Sequence, residues 1–142
     1  MYLSRAKEIL EAGDFTCVLT GGGAVYTSEL RGVRPLVQFL ESGTDMNGFS
    51  AADKVVGRAT AYLYVLLGVS AVYARIISQP AVAVLRDHGI RVEYGRLVPN
   101  IINRRGDGIC PFEAAVMDIS DPSDAYRAIL GKMKEMNIPI TD

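Results

Sequence analysis

The chain has 142 residues and a mass of 15.4 kDa, the size of one domain that buries roughly two-thirds of its unfolded surface. It is 49% hydrophobic and 22% charged, which excludes a disordered composition. Its 15 basic and 16 acidic side chains nearly cancel, and it has two cysteines and one histidine; this argues against a nucleic-acid coat, a disulfide scaffold or a His/Cys-built metal centre.

The first predicted element is an amphipathic helix over Leu3 to Ala12, with Leu3, Ala6, Ile9 and Leu10 on its apolar side and Gly13 as its stop. Its charged start reads as no signal peptide. Phe15, Cys17 and Leu19 alternate with Thr16, Val18 and Thr20, and Gly21-Gly22-Gly23 leads into Ala-Val-Tyr-Thr-Ser. Two β-prone runs around a glycine turn make a hairpin. Pro35 and Gly43 bracket a short helix.

Phe49 to Ala52 reads as a short strand, after which Asp53 caps a long helix from Lys54 to Leu67 that is apolar nearly all round. The uncharged stretch Ala59 to Ala74 is shorter than the roughly 20 apolar residues of a membrane-spanning helix. Ala71 to Ile77 is a buried strand, Ser78-Gln79-Pro80 opens a helix ending at His88-Gly89, and Ile90 to Tyr94 is a further strand. An irregular stretch, GRLVPNIINRRGDGI, follows. Cys110-Pro111 opens a helix through Met117, and Asp121-Pro122 a last one. The order α-β-β-α-β-α-β-α-β-α-α predicts one α/β domain over residues 1–142, with a mixed sheet of about five strands and helices on both faces.

This order resembles the cytidine-deaminase-like fold: a leading helix, a hairpin, then three strands separated by helices. The words ADKVVG at Ala52 to Gly57 and IINRRGDGICPFE at Ile101 to Glu113 are similar to signature stretches of a small prokaryotic family of unknown function with that fold, over roughly residues 3 to 130. The resemblance implies a three-layer sandwich and no established reaction. Zinc deaminases hold Zn²⁺ through an H-x-E type motif and a P-C-x-x-C motif. The corresponding helix starts are expected at Arg31-Gly32-Val33-Arg34-Pro35 and Ala52-Asp53-Lys54-Val55-Val56, which offer no such ligands. The expectation is a deaminase scaffold with no zinc site and no cofactor.

Three features could carry chemistry. Arg31 and Arg34 precede the helix at Pro35, Lys54 is expected in the first turn of the central helix, and Arg104 and Arg105 precede the helix at Pro111. Cations at the positive end of a helix dipole are unfavourable, so their repetition points to an anion held by Arg side chains and backbone N–H groups, against the plainer reading of solvated loop charges. Asp53 is either a helix cap or a carboxylate for a ligand hydroxyl at a strand end, and Asn103 either reads a ligand or shapes its loop. Cys110 is expected at an N-cap, where a thiolate is favoured, with Glu113 as acid or base or as a capping-box partner. Cys17, on an alternating strand face, reads as core.

The leading expectation is a binding domain for an anionic small molecule, a nucleotide or sugar phosphate, with Arg31, Arg34, Asp53, Lys54, Asn103 and Arg104 as ligand-binding residues. The rivals are a metal-independent enzyme or redox protein using Cys110 with Glu113, and a non-catalytic interaction module. No nucleic-acid or membrane partner is expected, homo-oligomerisation is compatible with the resemblance, and unpaired cysteines place the chain in the cytoplasm.

Overall fold

The computed structural model describes residues 2–103 and 105–140. Helix α1 (Tyr2–Ala12) leads into a hairpin of β1 (Cys17–Gly21) and β2 (Ala24–Ser28). Gly22 and Gly23 turn it with φ of 55° and 81°, the left-handed pair that a two-residue turn between right-twisted strands requires. Then come α2 (Arg34–Ser42), β3 (Ser50–Val56), α3 (Arg58–Leu67), β4 (Ala71–Ser78), α4 (Gln79–Asp87), β5 (Arg91–Val98), α5 (Pro111–Val116) and α6 (Pro122–Glu135). The type and order of every element agree with the expectation.

The five strands lie in the order β2-β1-β3-β4-β5. The hairpin is antiparallel to itself and to β3, whereas β3, β4 and β5 run parallel. Register decides which side chains meet. Val18 pairs with Ala52, and Ala52 with Tyr73; these three turn to α1, which buries Leu3, Ala6 and Leu10 against them. The alternate residues Cys17, Leu19, Ala51, Val72 and Ala74 turn to the opposite face and the larger core, where α3 and α4 pack. α2 lies beside α3, and α5 and α6 pack outside it. Helices therefore cover both faces of a mixed sheet. α3, buried at seven of its ten positions, is the most enclosed element, as its apolar circumference requires.

Two boundaries differ from the expectation. β3 does not stop at Ala52: it runs to Val56, with Val55 paired to Ile76 and Val56 to Ile77 of β4. Asp53 is thus a strand residue and not a helix cap, Lys54 is not in a first helical turn, and the second helix start expected at Ala52–Val56 falls instead at Gly57-Arg58. A parallel ladder with its β-branched residues fitted to the pleat outweighs the capping preference of one aspartate. β5 likewise extends beyond Tyr94 to Val98. It is an edge strand whose side chains are mostly exposed, so it lacks the apolar alternation by which strands are read.

No helix among the described residues is long and apolar enough to cross a membrane. The α1 face depends on few side chains, and Leu10 is completely buried in it. Leu10→Ala is expected to lower stability by about 2–5 kcal/mol, measured as a shift in the denaturant midpoint at unchanged m-value.

Candidate functional site

A cavity of about 270 Å³ opens between the end of β3, the start of α2, the start of α3 and the start of α5. Arg31, Lys54, Asp53, Cys17, Cys110 and Glu113 all line it. Its remaining wall is largely apolar, with Val33, Pro35, Ala59, Ile101 and Phe112.

Glu113 shapes one side. The backbone N–H of Arg58 donates to its Oε1 at 2.6 Å, and that of Ala59 to its Oε2 at 2.8 Å. Glu113 of α5 therefore caps α3, whose own N-cap, Gly57, has no side chain to do so. A carboxylate bonded to the first N–H groups of a helix satisfies orphan donors and meets the positive end of the dipole. In return the Arg58 side chain reaches past the end of α5, donating from Nε to the carbonyl of Val116 at 3.2 Å and from Nη2 to that of Ile119 at 2.6 Å. The Tyr62 hydroxyl also donates to the Ile119 carbonyl, at 2.7 Å.

This clamp corrects one expectation and explains another. Cys110 is the N-cap of α5, but its side chain makes no capping bond and its backbone N–H donates to the Ile101 carbonyl, so Cys110 and Glu113 form no capping box. The anion called for at the start of the central helix is supplied by Glu113 itself, and the cation there is Arg58.

The inner wall holds a buried polar chain. Cys17 and Asp53 are cross-strand partners on the α3 face. Tyr64 of α3 donates its hydroxyl proton to Asp53 Oδ2 at 2.7 Å, and its oxygen lies 3.3 Å from Cys17 Sγ. The N–H of Val55 donates to Asp53 Oδ1 at 3.2 Å. Burial dominates the titration of all three: it pushes the Asp53 carboxyl up to about 7 despite the bonds from Tyr64 and the backbone, and raises the Cys17 thiol and Tyr64 hydroxyl well above their ordinary values. Cys17 is in the core, as expected from its strand face, but with a polar partner that alternation does not reveal.

The other expected residues are dispersed. Arg31 is exposed at the mouth and Lys54 half-buried beside it. Arg34 opens α2 outside the residues that line the cavity. Asn103 belongs to its loop: its Oδ1 accepts from the N–H of Gly106 at 2.9 Å and its Nδ2 donates to Asp107 at 2.9 Å, closing a turn over the Ile102–Ile109 bridge. Arg105 is exposed on that turn, and Arg104 lies outside the described residues. No local pattern marks Tyr64 or Arg58 as part of the site. Tyr64 is hidden in an apolar run, and the partner of Arg58 lies 55 residues away.

The residues at the two helix starts do not fit a catalytic zinc. Arg31 to Pro35 and Gly57 to Thr60 contain no imidazole, thiolate or carboxylate, and no group of three His, Cys, Asp or Glu side chains suited to a metal ion occurs among the described residues.

Glu113→Ala leaves two helix N–H groups without their acceptor and costs about 2–3 kcal/mol. A Cβ on Gly57 would overlap the Glu113 carboxylate, so Gly57→Ala also destabilises the parent chain but costs far less once Glu113 is alanine, a non-additivity read from a double-mutant cycle. Asp53 keeps its proton to about pH 7 in the fold, against an ordinary 3.8. Between these values the folded chain binds more protons than the unfolded one, so the stability contributed by the neutral carboxyl is present near pH 4 and lost as pH rises through 7. Relative to Asp53→Asn, the parent chain is expected to lose on the order of 4 kcal/mol across that window, measured by denaturant titration at each pH.

A crystal structure of a DUF1893 family protein, TM1506, from Thermotoga maritima is 27% identical, covers 92% of this chain and 89% of its own, and superimposes with a TM-score of 0.85. A dCMP deaminase from the cyanophage S-TIM5 aligns over 66% of this chain and 93% of its own at 16% identity, with a TM-score of 0.44. A diaminohydroxyphosphoribosylaminopyrimidine deaminase/5-amino-6-(5-phosphoribosylamino)uracil reductase from Thermotoga maritima aligns over 66% of this chain and 35% of its own at 17% identity, with a TM-score of 0.42. No curated protein matches the chain. The family described as TM1506, domain of unknown function DUF1893, matches residues 5–133, and the chain belongs to that family.

Proposed function

We propose that the chain binds a small anionic molecule, a sugar phosphate or nucleotide, in the cavity at the start of α2. The observation that carries this reading is the pairing of Arg31 and Lys54 on a largely apolar cavity of about 270 Å³. A cavity of this size suits a small metabolite and not a polymer. The start of α3 is closed to a ligand anion, because Glu113 already takes the N–H groups of Arg58 and Ala59. Val33, the N-cap of α2, makes no side-chain capping bond, and Val33 and Pro35 at that start line the cavity. An anion there would meet the positive end of the helix and two flexible cations. The deaminase-like order of elements agrees with a ligand at this end of the sheet, where the parallel strands finish. As part of the same reading, both cysteines are free, which suits a reducing compartment such as the cytoplasm.

The test is equilibrium binding of inorganic phosphate, ribose 5-phosphate and AMP, set against ribose and adenosine as neutral counterparts. The phosphorylated compounds are expected to bind more tightly, with affinity falling as salt rises. Arg31→Ala with Lys54→Ala is expected to weaken them at least about tenfold, on the order of 1.4 kcal/mol. Equal binding of the neutral compounds, or affinity unchanged in the double variant, would sink the reading.

A further inference from the structure

We propose that Cys17, Tyr64 and Asp53 form a nucleophile, a proton relay and a base, and that Cys17 is the reactive thiol of this cavity toward a small electrophilic carbon bearing a leaving group. The proposal rests on the cavity and not on the anion reading.

Three observations converge. Cys17 and Asp53 both line the cavity, so both ends of the chain of hydrogen bonds adjoin the same space, with Cys17 1% and Asp53 8% exposed. The hydrogen bonds have a direction. Tyr64 has one hydroxyl proton and gives it to Asp53 Oδ2, so its oxygen is left to accept from the Cys17 thiol at 3.3 Å. The arrangement is also held from independent elements: Cys17 by β1, Asp53 by β3 and its bond from the Val55 N–H, and Tyr64 by the enclosed helix α3. A nucleophile bonded to a group that is oriented by a third is the general geometry of an activated side chain.

Burial disfavours a standing thiolate at Cys17, so its reactivity requires the proton to leave as the bond forms. The sulfur lone pair makes the S–C bond while the bond to the leaving group breaks and that group departs with the electron pair. The thiol proton passes to the Tyr64 oxygen, and the Tyr64 proton to the Asp53 carboxylate. Cys17 is the only one of the three that touches the reacting carbon; Tyr64 and Asp53 act through it. Cys110 lies on the same cavity, half-buried, and serves as a built-in reference for reagent access.

The groups that share this environment are Arg31 from the loop before α2, Lys54 of β3, and Cys110 and Glu113 at the start of α5. The Glu113 carboxylate is held by the two N–H groups of α3. Asp53 is therefore the group expected to set a pH step near 7.

The experiment is alkylation of the native chain with iodoacetamide, followed cysteine by cysteine with mass spectrometry from pH 5 to 9. Cys17 is expected to react in the folded chain, with a rate that half-rises near pH 7. Tyr64→Phe, which keeps the ring and removes the relay, is expected to slow Cys17 at least tenfold without slowing Cys110; Asp53→Asn is expected to do the same and to remove the pH step. Reaction of Cys17 no faster than global unfolding would overturn the proposal, as would an unchanged rate in Tyr64→Phe. If Asp53→Asn does not fold, Tyr64→Phe and the parent pH profile still decide. Iodoacetate, the anionic counterpart with the same leaving group, separates the two readings. A preference for it at Cys17 that is lost with Arg31→Ala and Lys54→Ala supports the anion site, and no preference removes that site while leaving the relay standing.

Discussion

The architecture of the site depends on one reciprocal clamp. Glu113 gives the first turn of α3 its acceptors, and Arg58 of that same turn gives donors to the carbonyls of Val116, the last residue of α5, and Ile119 beyond it. Each helix end carries the orphan groups that the other can satisfy. Gly57 is the condition for it, because the carboxylate occupies the space where a side chain at that position would begin. The clamp also decides what the cavity can do. An inward carboxylate already seated on the helix dipole takes the N–H groups of that helix start, which is why the proposed anion site lies at the start of α2.

The inner wall follows the opposite logic. Asp53 is placed on the buried face by the cross-strand pairing of β1 with β3 and by the continuation of β3 to Val56. A carboxyl is costly there, and the fold reduces the cost with the Tyr64 hydroxyl and a backbone N–H instead of a cation. Solvation is lost without a compensating charge, which is why its proton is retained to about pH 7. A purely structural network would be served as well by an amide. Retaining an ionisable group beside a thiol and a cavity is a pattern associated with functional sites.

Much of the fold was legible because its signals are local. Glycines at Gly22 and Gly23 specify the hairpin turn, Asp121 caps α6 through the N–H of Ser123, Ser78 caps α4 through that of Ala81, and alternation separates the α1 face from the α3 face. The errors lie where local and non-local preferences compete. At Asp53 to Val56 an aspartate before an apolar run reads as a cap and a helix, but those residues lie on a ladder with β4. At β5 an exposed edge carries no apolar period to read.

For the site, Arg31, Asp53, Lys54, Cys110 and Glu113 are brought to one cavity, whereas Asn103 is occupied by its own loop. The sequence by itself determined the order of elements, the helix caps supplied from neighbouring residues, the buried face of Cys17 and the scarcity of metal ligands. These depend on composition and on interactions within a few residues. Only the tertiary structure decided that Glu113 caps α3, that Arg58 answers it and that Tyr64 joins Cys17 to Asp53. Those pairings span 47 to 61 residues, and 11 between Tyr64 of α3 and Asp53 of β3. Their partners are chosen by sheet register and helix packing, which no local pattern encodes.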